Sequence, residues 1–173
     1  MPSPVGHAMA AVAVGLAVSP AAGPARADRW RQAAVLAAAG VAPDLDLLVG
    51  RHSMETHSVG AAILVASIAA WRLWPAGPTR TRIWLAMFAA WMSHPICDAL
   101  SLDTSPPLGV MILWPFDAGH YQTGWSLFAA ISRRYWLPEF VWHNALAVVR
   151  EIVILAPAVA FVVWWRRLRR TTA

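Results

Sequence analysis

Five apolar runs, at about residues 5–22, 32–49, 58–74, 83–102 and 145–165, dominate this chain and most restrict what it can fold into. A helix needs roughly 20 apolar residues to cross a bilayer, fewer where the membrane thins. Inside lipid every backbone N–H and C=O must be satisfied within the segment, which leaves helices as the solution for runs of this length. The runs at 58–74, 83–102 and 145–165 are credible spans, whereas Pro43-Asp44-Leu45-Asp46 interrupts the 32–49 run. The composition agrees: 58% of the 173 residues are hydrophobic and 13% charged, outside the balance of a soluble domain. Eleven tryptophans suit the membrane–water interface. The expected fold is therefore all-α, a polytopic helical membrane protein with four to five membrane helices. One integral membrane domain over 1–173 is expected, without internal repeats. Residues 103–143, with Pro106-Pro107, Pro115 and Pro138, are expected to form a Trp-rich interfacial loop holding one short helix near 124–133.

The net charge of +5 does not point to nucleic acid, because the arginines sit in short clusters between apolar runs, as topology determinants do. If all five runs cross with the N-terminus outside, Arg26, Arg29, Arg31, Arg72, Arg80, Arg82, Arg166, Arg167, Arg169 and Arg170 fall on the cytoplasmic side. Arg51, Arg133, Arg134 and Arg150 stay outside, so the positive-inside rule is met. The same topology gathers all six histidines, and every acid except Asp28, at or near the outer face. A four-span chain would leave His7 across the membrane from Asp44. Ala25-Arg26-Ala27 has the look of a signal-peptidase site, but no Arg or Lys precedes the apolar run, so it is expected to remain as the first membrane helix. The single cysteine, Cys97, excludes an intramolecular disulfide and a Cys-rich zinc site, which leaves His and carboxylates as metal donors.

Ionisable groups in apolar helices are costly and are usually functional or paired. Here they come in four packets. His7 lies at the outer end of the first run; taken alone, such a histidine is ordinarily just solvated. Asp44 and Asp46 follow Pro43 on a turning backbone, where two carboxylates can converge on one cation or merely cap a helix. His52 and His57 flank a turn before an apolar helix, and Thr56 or Ser58 can cap that helix. His94 and Asp98 are four apart in an apolar span and share one helix face, beside Pro95, which removes a ladder hydrogen bond and can kink the helix. Seven candidate metal ligands result: His7, Asp44, Asp46, His52, His57, His94 and Asp98. They suffice for one or two divalent ions, Zn²⁺ from the His-rich mixture or Mn²⁺ given the carboxylates. Paired metals suit phosphoester hydrolysis by metal-activated water, with Asp44 or Asp98 as the candidate catalytic general base.

These packets resemble a known family. Gly6-His7, Pro43-Asp44-Leu45-Asp46, His52 with Thr56-His57-Ser58, Ser93-His94 with Asp98, and Leu113-Trp114-Pro115-Phe116 are similar to segments of the YdjM-like, LexA-regulated membrane-bound metal-dependent hydrolases of bacteria. The resemblance is strongest over residues 5–117. It implies a multi-pass, metal-dependent hydrolase of the bacterial inner membrane, of unspecified substrate; a phosphoester or lipid-linked substrate is expected because a site at the bilayer face meets such molecules directly. The chain departs from the family pattern at Ser53, where an arginine is common, and after Phe116, where Asp117 to His120 replace a basic pair. Both changes touch the substrate surroundings and spare the ligand set. His120, His143 and Glu139 fall outside that set; Arg150 and Glu151 are expected to pair with each other or to mark a second polar facet. The rivals to a hydrolase are a non-catalytic metal-binding membrane protein and a metal or proton transporter, whose ligands would be spread through the membrane depth. The expected partners are the lipid bilayer and such a substrate; oligomeric state and substrate identity are not legible in the sequence.

Overall fold

The computed structural model describes all residues except 22, 24, 74–76, 104, 105, 107, 172 and 173, together with the side chains of 73, 170 and 171. Pro107, part of the expected loop, lies outside the described residues. Five helices follow one another: α1 (Pro4–Val18), α2 (Arg26–Val41), α3 (Val59–Leu73), α4 (Pro78–Ala99) and α5 (Phe140–Thr171). From α2 the chain tightens directly into 3₁₀ turns over Ala42–Val49, and a single 3₁₀ turn, Glu55–His57, precedes α3. Among the described residues there is no strand, only two isolated bridges, Ser101 with Phe128 and Val110 with Tyr121. The all-α expectation is met.

Local chemistry explains the boundaries. Ser3 caps α1, accepting from the Gly6 N–H, and Pro4 takes the first helical position. Ser58 caps α3 through the Ala61 N–H, so of the two expected caps Ser58 serves and Thr56 turns elsewhere. Gly77, at φ 145°, adopts backbone that other residues avoid, and Pro78 then starts α4. That helix continues through Pro95 to Ala99 rather than ending there. The short helix expected near 124–133 is absent. Its backbone donors are taken elsewhere: Leu127 N–H by Leu100 O, Ile131 N–H by Met1 O and Ser132 N–H by Asn144 Oδ1.

Contacts between elements show a serpentine bundle. Gly40 of α2 meets Ala11 and His7 of α1, while Leu36 meets Gly15, so α1 and α2 run antiparallel. The Trp84 indole donates to Ser67 and the Trp91 indole to the Thr56 carbonyl, so α3 and α4 are antiparallel as well. The last helix runs parallel to α1 and holds both of its ends. Glu151 of α5 accepts from the Ser3 N–H and hydroxyl at the start of α1, and the Arg166 guanidinium donates to the Leu16, Ser19 and Pro20 carbonyls at its finish. An acid at the N-terminus and a base at the C-terminus both complement the α1 dipole. Fifteen residues separate them, about 22 Å at 1.5 Å per residue, which matches the length of α1. Of the two alternatives for Arg150 and Glu151, mutual pairing does not occur; Arg150 donates to the Ser126 carbonyl while Glu151 holds Ser3.

The distribution of side chains is that of a bundle in lipid. The buried apolar residues are mostly alanines, among them Ala11, Ala62, Ala66, Ala86 and Ala90. Large ones such as Leu64, Trp71, Val141, Val153 and Phe161 face outward, where water would penalise them. Small interior residues let membrane helices approach closely; Gly40 is the tightest such point. Among the described residues, two stretches can cross a membrane by length and composition, Arg26–Val49 and Phe140–Arg169, while α1 and α3 are apolar but shorter. The interrupted 32–49 run thus belongs to one of the two longest apolar stretches, because the 3₁₀ turns extend α2 without a break. Of the three runs expected as credible spans, only the last corresponds to one of these two stretches.

Candidate metal centre

Four elements deliver the ionisable packets to one end of the bundle. His7 comes from the first turns of α1, Asp44 and Asp46 from the 3₁₀ turns after α2, and His52 and His57 from the approach to α3. His94 and Asp98 come from the last two turns of α4. All seven sequence-predicted residues meet here. His7, His57 and His94 are fully buried, and Asp98 nearly so.

Two imidazoles are oriented from behind. His94 Nδ1 lies 2.7 Å from the Gly40 carbonyl, which can only accept, so Nδ1 carries the proton and Nε2 turns its lone pair inward. His57 Nδ1 lies 3.1 Å from Asp46 Oδ2 and 3.0 Å from Thr56 Oγ1. The Thr56 hydroxyl itself donates to Asp46 Oδ2 at 2.7 Å, which leaves His57 Nδ1–H to donate to that carboxylate. The two Nε2 atoms then face each other at 3.0 Å. Asp44 Oδ1 lies 3.5 Å from His94 Nε2 and 3.8 Å from His57 Nε2. Asp98 Oδ2 lies 3.3 Å and 3.6 Å from the same two atoms. Asp44 Oδ1 and both Asp98 oxygens are buried without a hydrogen-bond donor. Converging acceptors in a low-dielectric interior repel one another unless a cation lies among them.

Donor spacing tests which cation fits. A tetrahedral ion with bonds of about 2.0–2.1 Å has its ligand atoms about 3.3 Å apart. The separations above, from 3.0 to 3.8 Å, bracket that value. The separations that link His57 and His94 to each other and to Asp44 and Asp98 are those such an ion could use. The remaining three residues stand around this quartet. His7 stacks on His94 with ring centroids 3.7 Å apart and puts Nε2 3.4 Å from Asp98 Oδ1. Both of its nitrogens are buried without a hydrogen-bond partner. His52 Nδ1 binds Asp46 Oδ1 at 2.9 Å, so Asp46 commits one oxygen to His52 and the other to Thr56 and His57. Grouped by mutual proximity, the donors also form two triads that could hold a metal ion: His7, His94 and Asp98, and Asp44, His52 and His57. Burial pushes the His57 imidazole down, but the nearby Asp44 and Asp46 carboxylates outweigh this and hold its pKa above the ordinary value.

The four central donors differ in access. Asp44 is 14% exposed in its side chain, against 1% for Asp98 and none for the two histidines. It lines a cleft of about 970 Å³ whose walls are mostly the 102–134 segment and the start of α5. The Leu113–Phe116 segment braces the other side of the centre. The Ile112 and Trp114 carbonyls accept from the first two N–H groups of α3, and Met111 N–H donates to Ser53 O. Ser53 has a φ of 63°, a conformation that favours glycine and is held here by that bracing.

Three residues escaped the sequence. Gly40 acts through its carbonyl, which no side-chain pattern announces. Thr56 was considered only as a cap. Glu151, an acid inside an apolar run, signalled a buried role but not its partner, Ser3. His120 and His143 stay apart from the cluster; His143 Nε2 lies 2.8 Å from the Ala130 carbonyl. A family model described as YdjM inner membrane protein matches residues 1–170, reaching past residue 117 through nearly all of α5. No curated protein and no solved structure matches the chain.

Proposed function

Because the chain belongs to the YdjM inner membrane protein family, we propose that it is a multi-pass, metal-dependent hydrolase with its centre near the outer face. Five crossings as a single domain are supported by the alternating helix directions and by α1 running parallel to α5. The ten arginines at the ends of helices remote from the cluster support the orientation. The two short helices require a locally thinned bilayer.

His57, His94 and Asp98 would hold a divalent ion, Zn²⁺ by donor type, in the two-histidine, one-carboxylate pattern of hydrolytic zinc sites. Such an ion lowers the pKa of bound water and offsets charge on a phosphoryl oxygen. Asp44 is assigned as general base: it alone among the four lines the cleft, and its partly exposed carboxylate can take a proton from water. Asp98, enclosed by three imidazoles, cannot reach a substrate. Asp46 is a positioning residue that fixes the tautomers of His52 and His57, and Gly40 does the same for His94. The exposure of Asp44 on the cleft carries the enzymatic assignment. One observation favours a second reading, a structural ion tying the helices together: four protein donors at tetrahedral spacing can close the site.

Asp44→Asn separates the two. A hydrolase retains its metal in this variant and loses phosphodiesterase turnover by about 10²–10⁴-fold, the usual worth of a general base. A structural ion predicts no turnover in the intact protein and weakened metal binding in the variant. Metal content and bis-p-nitrophenyl phosphate hydrolysis, measured on the same detergent-purified samples, distinguish them.

A further inference from the structure

The cleft that opens from Asp44 and His52 has a second group of residues with no part in holding a metal. Its walls carry Arg133 and Arg134, exposed on the segment before α5, and the apolar side chains of Leu137 and Phe140 beside them. Among the described residues no carboxylate lies within salt-bridge distance of either guanidinium. Arg133 reaches only the Met1 thioether, 3.5 Å away. Besides Asp44, two acids line the cleft: Asp103, which accepts from the Gly109 N–H at 3.2 Å, and Glu139. Two guanidinium groups on one cleft wall, with no carboxylate in salt-bridge contact, offer planar donor forks suited to phosphate oxygens. The exposed aromatics around them, Trp125, Tyr135, Trp136 and Trp142, are those of an interfacial belt, where phosphate and acyl chain meet.

We propose that Arg133 and Arg134 form the phosphate-binding subsite of this centre, with Leu137 and Phe140 receiving an alkyl chain, so that the substrate class is an amphiphilic phosphoester. The assignment of a substrate rests on the hydrolase proposed above; the binding of a phosphate amphiphile does not.

The test is calorimetric titration of the full chain in maltoside micelles with inorganic phosphate and with dodecyl phosphate. It compares the intact protein with R133Q/R134Q, R133K/R134K and R51Q. Arg51 pairs with Glu55 outside this wall and controls for nonspecific partition. Dodecyl phosphate affinity should fall about tenfold or more in the glutamine pair, hold in R51Q and be largely kept in the lysine pair. Inorganic phosphate should bind more weakly than dodecyl phosphate; equal affinities would overturn the alkyl-chain half. Equal dodecyl phosphate affinity in every protein would overturn the subsite. Metal content is read on the same samples. Its absence from the intact protein would defeat the metal centre without altering the binding comparison, and its retention in R133Q/R134Q shows that any lost binding is not lost structure.

Discussion

His57 has its two nitrogens in different company: Nδ1 against Asp46 and Thr56, Nε2 against His94, Asp44 and Asp98. The first set fixes which nitrogen holds the proton, and the second shows where the freed lone pair points. The sequence made half of this legible. Four-residue spacing on an apolar helix predicted that His94 and Asp98 share a face, and they do. The partition between Asp44 and Asp46 was not legible, because two residues apart in a 3₁₀ turn point in divergent directions, and only the turn type decides which faces inward. Asp46→Asn keeps the size but removes a charged acceptor from His52, Thr56 and His57. Metal affinity should fall about 10–100-fold while the helical circular dichroism stays unchanged, as competition with a chromophoric chelator would report. An unchanged affinity would remove Asp46 from the positioning role.

Between elements, the decisive contact is α1 against α2 at Gly40. A Cβ there would stand 2.3 Å from Ala11 Cβ and 2.8 Å from the His7 backbone oxygen, so the helices would have to separate. The Gly40 carbonyl that orients His94 would move with them. Gly40→Ala should therefore destabilise the bundle by about 1–3 kcal/mol and weaken metal binding together, seen as a lower Tm in detergent with and without added metal. A variant as stable as the parent would contradict the close approach. The helices themselves were legible as apolar runs, but their registry was not. The pairing of Glu151 with Ser3 and of Arg166 with the end of α1 depends on α5 lying beside α1, a long-range relation that local periodicity does not carry. The missing 124–133 helix has the same cause, since its backbone donors find partners in distant segments.

At the scale of the whole molecule, charge and chemistry separate along the bundle axis. Arginine clusters at the starts of α2 and α4 and the ends of α3 and α5 lie opposite the His/Asp cluster. Tryptophans occur at both ends, Trp30, Trp71 and Trp164 at one and Trp114, Trp125, Trp136 and Trp142 at the other, as two interfacial belts require. This separation was the most legible property of all, because the sequence itself places the arginines and the His/Asp packets at alternate ends of the apolar runs. It also weighs against a transport pathway, whose donors would be spread through the membrane depth. Reporter fusions after residues 28, 52 and 78 should report inside, outside and inside. A cytoplasmic signal at 52 would invert the proposed sidedness while leaving the cluster intact. Elemental analysis of the purified full chain reads whether the converging His and Asp donors hold an ion. About one tightly held divalent ion per chain is expected, lost in both His57→Ala and Asp98→Ala; an intact, folded protein that carries no metal after reconstitution with Zn²⁺ or Mn²⁺ would contradict it.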